Sequence, residues 1–133
     1  MAKPLPMTIE DSAMGLILVV DDEKDAGRLM ERVLSTSGHK VCAIADPDEA
    51  ITWLQQNTPD LVLLDVKLKG RSGISVLEYL HGHEIQTKVV MVTGYSSPET
   101  RNKARQLGVQ EYLSKPVEID ELESRINKLL EAG

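Results

Sequence analysis

The chain has 133 residues, 41% hydrophobic and 27% charged, with a net charge of −6, which suits a single globular domain with its own core. The acidic balance disfavours direct nucleic-acid binding, which needs clustered positive charge. The longest apolar run, Met14 to Val20, is too short to span a bilayer, and no apolar signal segment opens the chain.

Residues 1–13, with Pro4 and Pro6, lack sustained periodicity and read as a flexible tail ahead of a domain over 14–131. Leu16 to Val20 predicts a first buried strand, closed by the acidic pair Asp21-Asp22. Ala26, Leu29, Met30, Val33 and Leu34 then recur at helical spacing, which predicts an amphipathic helix ended by Ser37-Gly38. Lys40 to Ala45 predicts a second strand, and Cys42 within it is the single cysteine, which fits a reducing cytoplasm. Asp46-Pro47-Asp48-Glu49 combines a cap residue, a first-turn proline and a capping-box glutamate before a helix burying Ala50, Ile51 and Leu54.

Leu61-Val62-Leu63-Leu64 predicts a strand buried on both faces that ends in Asp65. A third helix begins near Ser72-Gly73 and presents Ile74, Leu77 and Leu80 to the core. Lys88 to Val92 is a fourth apolar strand, ending in Thr93-Gly94. Ser97-Pro98-Glu99 starts a fourth helix with little beyond Ala104 and Leu107 to bury, so it is expected among the more mobile elements. Gly108 closes it, Gln110 to Leu113 forms a fifth strand, and the last helix carries Ile119, Leu122, Ile126, Leu129 and Leu130. Strand and helix alternate five times, which predicts an α/β domain with one five-stranded parallel sheet and helices on both faces.

The polar strand ends carry the chemistry, because open parallel sheets bind ligands at the carboxyl ends of their strands. Asp21, Asp22 and Asp65 in one crevice repel one another unless a cation or protons intervene. An all-oxygen donor set suits a hard ion, Mg²⁺ or Mn²⁺. A carboxylate can attack phosphorus, with Asp65 as the nucleophile. Lys115 can pair with phosphoryl charge and the Thr93 hydroxyl can donate a hydrogen bond to it. Taken singly, Asp22 reads as a helix cap, Lys115 as a solvated lysine and Thr93 as a strand-end residue; the ordered combination is the signal.

Together, Val19-Val20-Asp21-Asp22, Leu63-Leu64-Asp65, Gly73, Val92-Thr93-Gly94 and Lys115-Pro116 resemble the receiver domain of bacterial two-component response regulators, over about residues 15–131. The resemblance implies a flavodoxin-like sheet of order 2-1-3-4-5. It implies that Asp65 accepts phosphate from a phosphohistidine, and that Asp22 ligates Mg²⁺ directly while Asp21 acts through water. The third protein ligand is then the Lys67 backbone carbonyl, the switch hydroxyl is Thr93, the conserved lysine is Lys115 and the rotating aromatic is Tyr112. The family's peptide before Pro116 is commonly cis. Implied partners are a sensor histidine kinase or phosphotransfer protein and a downstream protein target. A phosphorylation-dependent homodimer stays open, with no membrane and no direct nucleic-acid contact.

The chain departs from the family where proline usually stands four residues after the acceptor; Lys69 occupies that position, within Lys67-Leu68-Lys69-Gly70-Arg71. That basic loop either attracts phosphate or is simply solvated, and Tyr95 either shields the acyl phosphate or is exposed. Arg101 and Arg105 share a face of the fourth helix, which either contacts a partner or, the favoured reading, is simply solvated. His39 stands alone, and His81 and His83 do not share a face.

Two other chemistries fit less well. A magnesium-dependent small-molecule phosphatase of dehalogenase type would separate its two aspartates by one residue and enclose its substrate under a cap. An FMN binder of flavodoxin type needs a phosphate-welcoming first loop, whereas Asp21-Asp22-Glu23 repels anions. The expectation is therefore a signalling phosphoacceptor that catalyses only its own phosphorylation and dephosphorylation. It acts either as a free-standing receiver or as a fragment of a longer regulator or hybrid kinase.

Overall fold

In a computed structural model, residues 15–66, 73–94 and 97–132 are described. Five strands alternate with five helices: β1 (Leu16–Asp21), α1 (Lys24–Thr36), β2 (Lys40–Ile44), α2 (Pro47–Leu54), β3 (Leu61–Val66), α3 (Ile74–Gly82), β4 (Lys88–Thr93), α4 (Pro98–Gln106), β5 (Glu111–Ser114) and α5 (Ile119–Ala132). The strands form one sheet in the order β2-β1-β3-β4-β5, all neighbours parallel. The central strands are continuous apolar runs because helices cover both faces, leaving no polar side to the sheet.

Strand alternation sorts the core into two layers. Ile17, Val19, Leu61, Leu63, Val90 and Val92 pack against α1 and α5 through Leu34, Leu122 and Ile126. Leu18, Val20, Val62, Leu64, Val89 and Met91 face α2, α3 and α4, represented by Ala50, Leu54, Leu77, Leu80 and Ala104. Both helix ends expected at glycines are left-handed: Gly38 has φ +99° and Gly108 φ +87°, where a Cβ is strained. At each, a backbone N–H returns to the last turn, His39 to Leu34 O at 3.3 Å and Val109 to Ala104 O at 3.3 Å. Glu84 repeats that geometry without glycine, at φ +53°, with Ile85 N–H donating to Leu80 O at 3.0 Å.

Some local expectations are corrected. Leu29 falls on the apolar periodicity of α1 yet is 45% exposed; the apolar stripe is wider than the surface that the sheet and α5 offer it. Asp46 is the N-cap of α2 and Pro47 opens the helix, but the Asp46 side chain makes no capping hydrogen bond, so the predicted capping box does not form. By contrast Ser97 caps α4, its Oγ accepting from Thr100 N–H at 3.1 Å. Strand ends shift by a residue: β3 runs on to Val66 and β5 spans Glu111–Ser114. The expected tail, 1–13, lies outside the described residues.

Candidate functional site

Asp21 ends β1, Asp65 is the last residue but one of the neighbouring parallel β3, and the two are register partners. A polar crevice of about 780 Å³ opens there, lined by Asp21, Asp22, Asp65 and Gly73 and extending past Lys24 and Arg28. Asp21 is 7% exposed. Its Oδ1 accepts the Glu23 N–H at 2.9 Å, which fixes the carboxylate at the start of the turn into α1. Burial, reinforced by the negative charge of Asp65, raises the Asp21 pKa from 3.8 to about 6; the Glu23 N–H and the Lys115 charge oppose that rise.

Lys115 reaches across from the end of β5, and its Nζ forms an ion pair with Asp65 Oδ2. Two constraints aim it. The Lys115 N–H donates to Thr93 O at 2.8 Å, tying the ends of β4 and β5 together. The side-chain stem passes over Gly94, where a Cβ would meet Lys115 Cδ at 3.7 Å. The Lys115-Pro116 peptide is cis, as the resemblance implies. Thr93 is buried, 1% exposed, and pairs in register with Val66 on one side and Ser114 on the other. Tyr112 pairs with Met91, so strand alternation puts it on the same face as Thr93, one diagonal step away.

Asp65 Oδ1 is buried without a hydrogen-bond partner. A buried carboxylate oxygen of that kind costs free energy unless something satisfies it. Its surroundings fit a hard cation: the buried Asp21 carboxylate beside the partly buried Asp65, and a third, Asp22, exposed on the same crevice. Among the described residues no three carboxylate, imidazole or thiolate side chains are already grouped as a metal cluster. Asp21 and Asp65 thus meet, while Asp22 lines the crevice without closing on them. The helix-cap reading of Asp22 is not realised, because Glu23 is the N-cap of α1 and no side-chain cap forms. Lys67, the implied carbonyl ligand, lies outside the described residues, as do Lys69, Arg71, Ser72 and Tyr95.

A sequence profile for the response regulator receiver domain matches residues 17–127. The chain belongs to that family. The receiver is 34% identical over 110 residues to the transcriptional regulatory protein DltR of Streptococcus agalactiae, covering 83% of this chain and 49% of that protein. It therefore spans about half the length of that relative. It is 30% identical over 114 residues to sporulation initiation phosphotransferase F of Bacillus subtilis, covering 86% of this chain and 92% of that protein. A crystal structure of a CheY-like receiver domain protein from Methanospirillum hungatei superposes with a TM-score of 0.84 at 29% identity, covering 90% of this chain and 95% of that one. The family, read from the strand-end motifs, and the sheet order that the resemblance implied are borne out.

Within the receiver, sequence reasoning missed the supports of the site: the Glu23 N–H on Asp21, the Lys115 N–H on Thr93 and the passage of the lysine stem over Gly94. Only the small residue at 94 was visible in the sequence. Arg101 is exposed, as expected, and also stands over the Tyr112 ring, its Cζ 5.5 Å from the ring centroid. Among the described residues no helix is long and apolar enough to cross a membrane.

Proposed function

We propose that this receiver is a phosphoacceptor switch in which Asp65 takes a phosphoryl group from the phosphohistidine of a sensor histidine kinase or a phosphotransfer protein. The observation that carries this reading is the Lys115 ion pair on one Asp65 oxygen while the other oxygen is buried without a partner. An Asp65 carboxylate oxygen attacks phosphorus, the phosphorus–nitrogen bond breaks, and the imidazole leaves with the electron pair; the product is an acyl phosphate. Lys115 then exchanges its carboxylate partner for phosphoryl charge, and the Thr93 hydroxyl donates to a phosphoryl oxygen.

Asp21, Asp22, Asp65 and the Lys67 carbonyl would hold Mg²⁺ (or Mn²⁺). A bound Mg²⁺ supplies charge neutralisation for carboxylates and phosphoryl oxygens alike. Thr93 moves towards the phosphoryl group, Tyr112 fills the space it leaves, and the surface of α4, β5 and α5 changes. That surface acts on a downstream protein target, by a phosphorylation-dependent homodimer or by contact with another protein. Where the receiver is part of a longer regulator, it acts on the attached segment. Direct nucleic-acid binding is not part of this role, the setting is the bacterial cytoplasm, and the only reactions promoted are gain and loss of its own phosphoryl group.

Labelled acetyl phosphate with Mg²⁺ tests the reading. Wild type takes up one label per chain, Asp65→Asn or chelation of the metal abolishes uptake, and undiminished uptake by Asp65→Asn overturns the acceptor assignment.

A further inference from the structure

Helix α4 buries only Ala104. Among the described residues its contacts to neighbouring elements include Lys103 Nζ, 3.5 Å from Glu78 on α3, both half-exposed, and Arg101 over the ring of Tyr112 on β5. The first is a solvated ion pair of little weight. The second is of another kind, because the Arg101 Cζ stands 5.5 Å from the ring centroid, within the range where a guanidinium is held by an aromatic face. Tyr112 is half-buried and packs against the core layer that contains Met91 and Ala104, so the same side chain touches the core and carries a cation.

We propose that Arg101 is a positioning residue for the switch: its guanidinium, seated on Tyr112, holds the ring in its present rotamer and ties α4 to β5. The proposal rests on the reading of Tyr112 as the aromatic that moves when Asp65 is phosphorylated. Turning the ring towards Thr93 takes its face away from Arg101 or drags α4 with it. Either way the contact opposes the transition, and its loss is coupled to phosphoryl capture. By linkage, whatever favours the unmoved ring lowers the affinity for a phosphoryl group, and removing it raises that affinity. A contact of this class accounts for about a two- to fivefold change in the equilibrium.

The test uses Arg101→Gln, which keeps part of the stem and a polar end but removes the charge, and Arg101→Lys, which keeps the charge. Tyr112 ring resonances and χ1 couplings are followed by NMR in the free protein, and beryllofluoride with Mg²⁺ serves as the phosphoryl mimic. Arg101→Gln is expected to shift the free-protein Tyr112 signals towards their mimic-bound positions and to tighten beryllofluoride binding about two- to fivefold. Arg101→Lys should restore part of the wild-type behaviour. In a Tyr112→Leu background the Arg101 substitution should no longer change affinity, whereas a role in holding the fold alone would persist there. Unchanged Tyr112 signals in Arg101→Gln, or the same affinity change with and without the aromatic ring, would overturn the proposal. If wild type does not bind the mimic, the acceptor reading fails by itself; the free-protein Tyr112 signals still decide whether Arg101 positions the ring.

Discussion

The junction of β1 and β3 and the flank formed by α4 and β5 are built to different standards. Leu18, Val20, Val62 and Leu64 are at most 2% exposed, helices cover both faces of these strands, and their ends bring Asp21 and Asp65 together as register partners. Helix α4, by contrast, buries one alanine, and its contacts to neighbouring elements include the exposed Lys103–Glu78 pair and the Arg101–Tyr112 contact. Two adjacent carboxylates repel each other, so they need a scaffold that resists their separation. A reporting surface needs the opposite: contacts of small individual strength that can be exchanged when the occupant of the site changes.

The largest effect that would break this contrast comes from the core beneath the carboxylates. Leu64→Ala should cost about 2–5 kcal/mol in urea unfolding, as other buried leucine truncations do. Ala104→Gly in α4 should cost about 1 kcal/mol and, in hydrogen exchange, speed the α4 amides while leaving β1 and β3 protected. Comparable losses at the two positions would erase the distinction.

The second effect concerns charge at the junction. Because the folded Asp21 pKa is raised, its contribution is fully present below the ordinary value of 3.8 and is lost as pH rises through about 6. Asp21→Asn should therefore gain on wild type in thermal melts without metal as pH rises across that interval, and hold the gain above it. Mg²⁺ should stabilise wild type more above pH 6 than below it, and Asp21→Asn should lose most of that response. A wild type that gains stability relative to the variant over the same interval would reverse the assigned sign.

The smallest effect is a control away from both regions. Glu84 closes α3 at φ +53°, where glycine is less strained, so Glu84→Gly should change stability by no more than about 1 kcal/mol, in the stabilising direction. It should leave phosphoryl uptake unchanged.

The contrast also explains what was legible in the sequence. Strands covered on both faces must be apolar throughout, so Leu61-Val62-Leu63-Leu64 announced itself, and a polar residue closing such a run could only be Asp65 at a strand end. Adjacent parallel strands align those ends, which is why Asp21 and Asp65 meet, and Lys115 reaches them from the far side of β4. Leu29 was misplaced because periodicity names the apolar stripe of a helix but not how much of it a neighbour covers. The Arg101–Tyr112 contact was invisible for a related reason: it depends on how a helix sits against a strand, and neither segment's pattern encodes that offset. The Glu23 N–H on Asp21 comes from the backbone, which has no sequence signature of its own.

Reductive trapping of the acyl phosphate identifies the acceptor residue by its product. After acetyl phosphate and Mg²⁺, borohydride converts an aspartyl phosphate to homoserine, and peptide mass spectrometry locates it. The account predicts conversion at Asp65 alone, dependent on metal; conversion at Asp21 or Asp22 with Asp65 intact would contradict it.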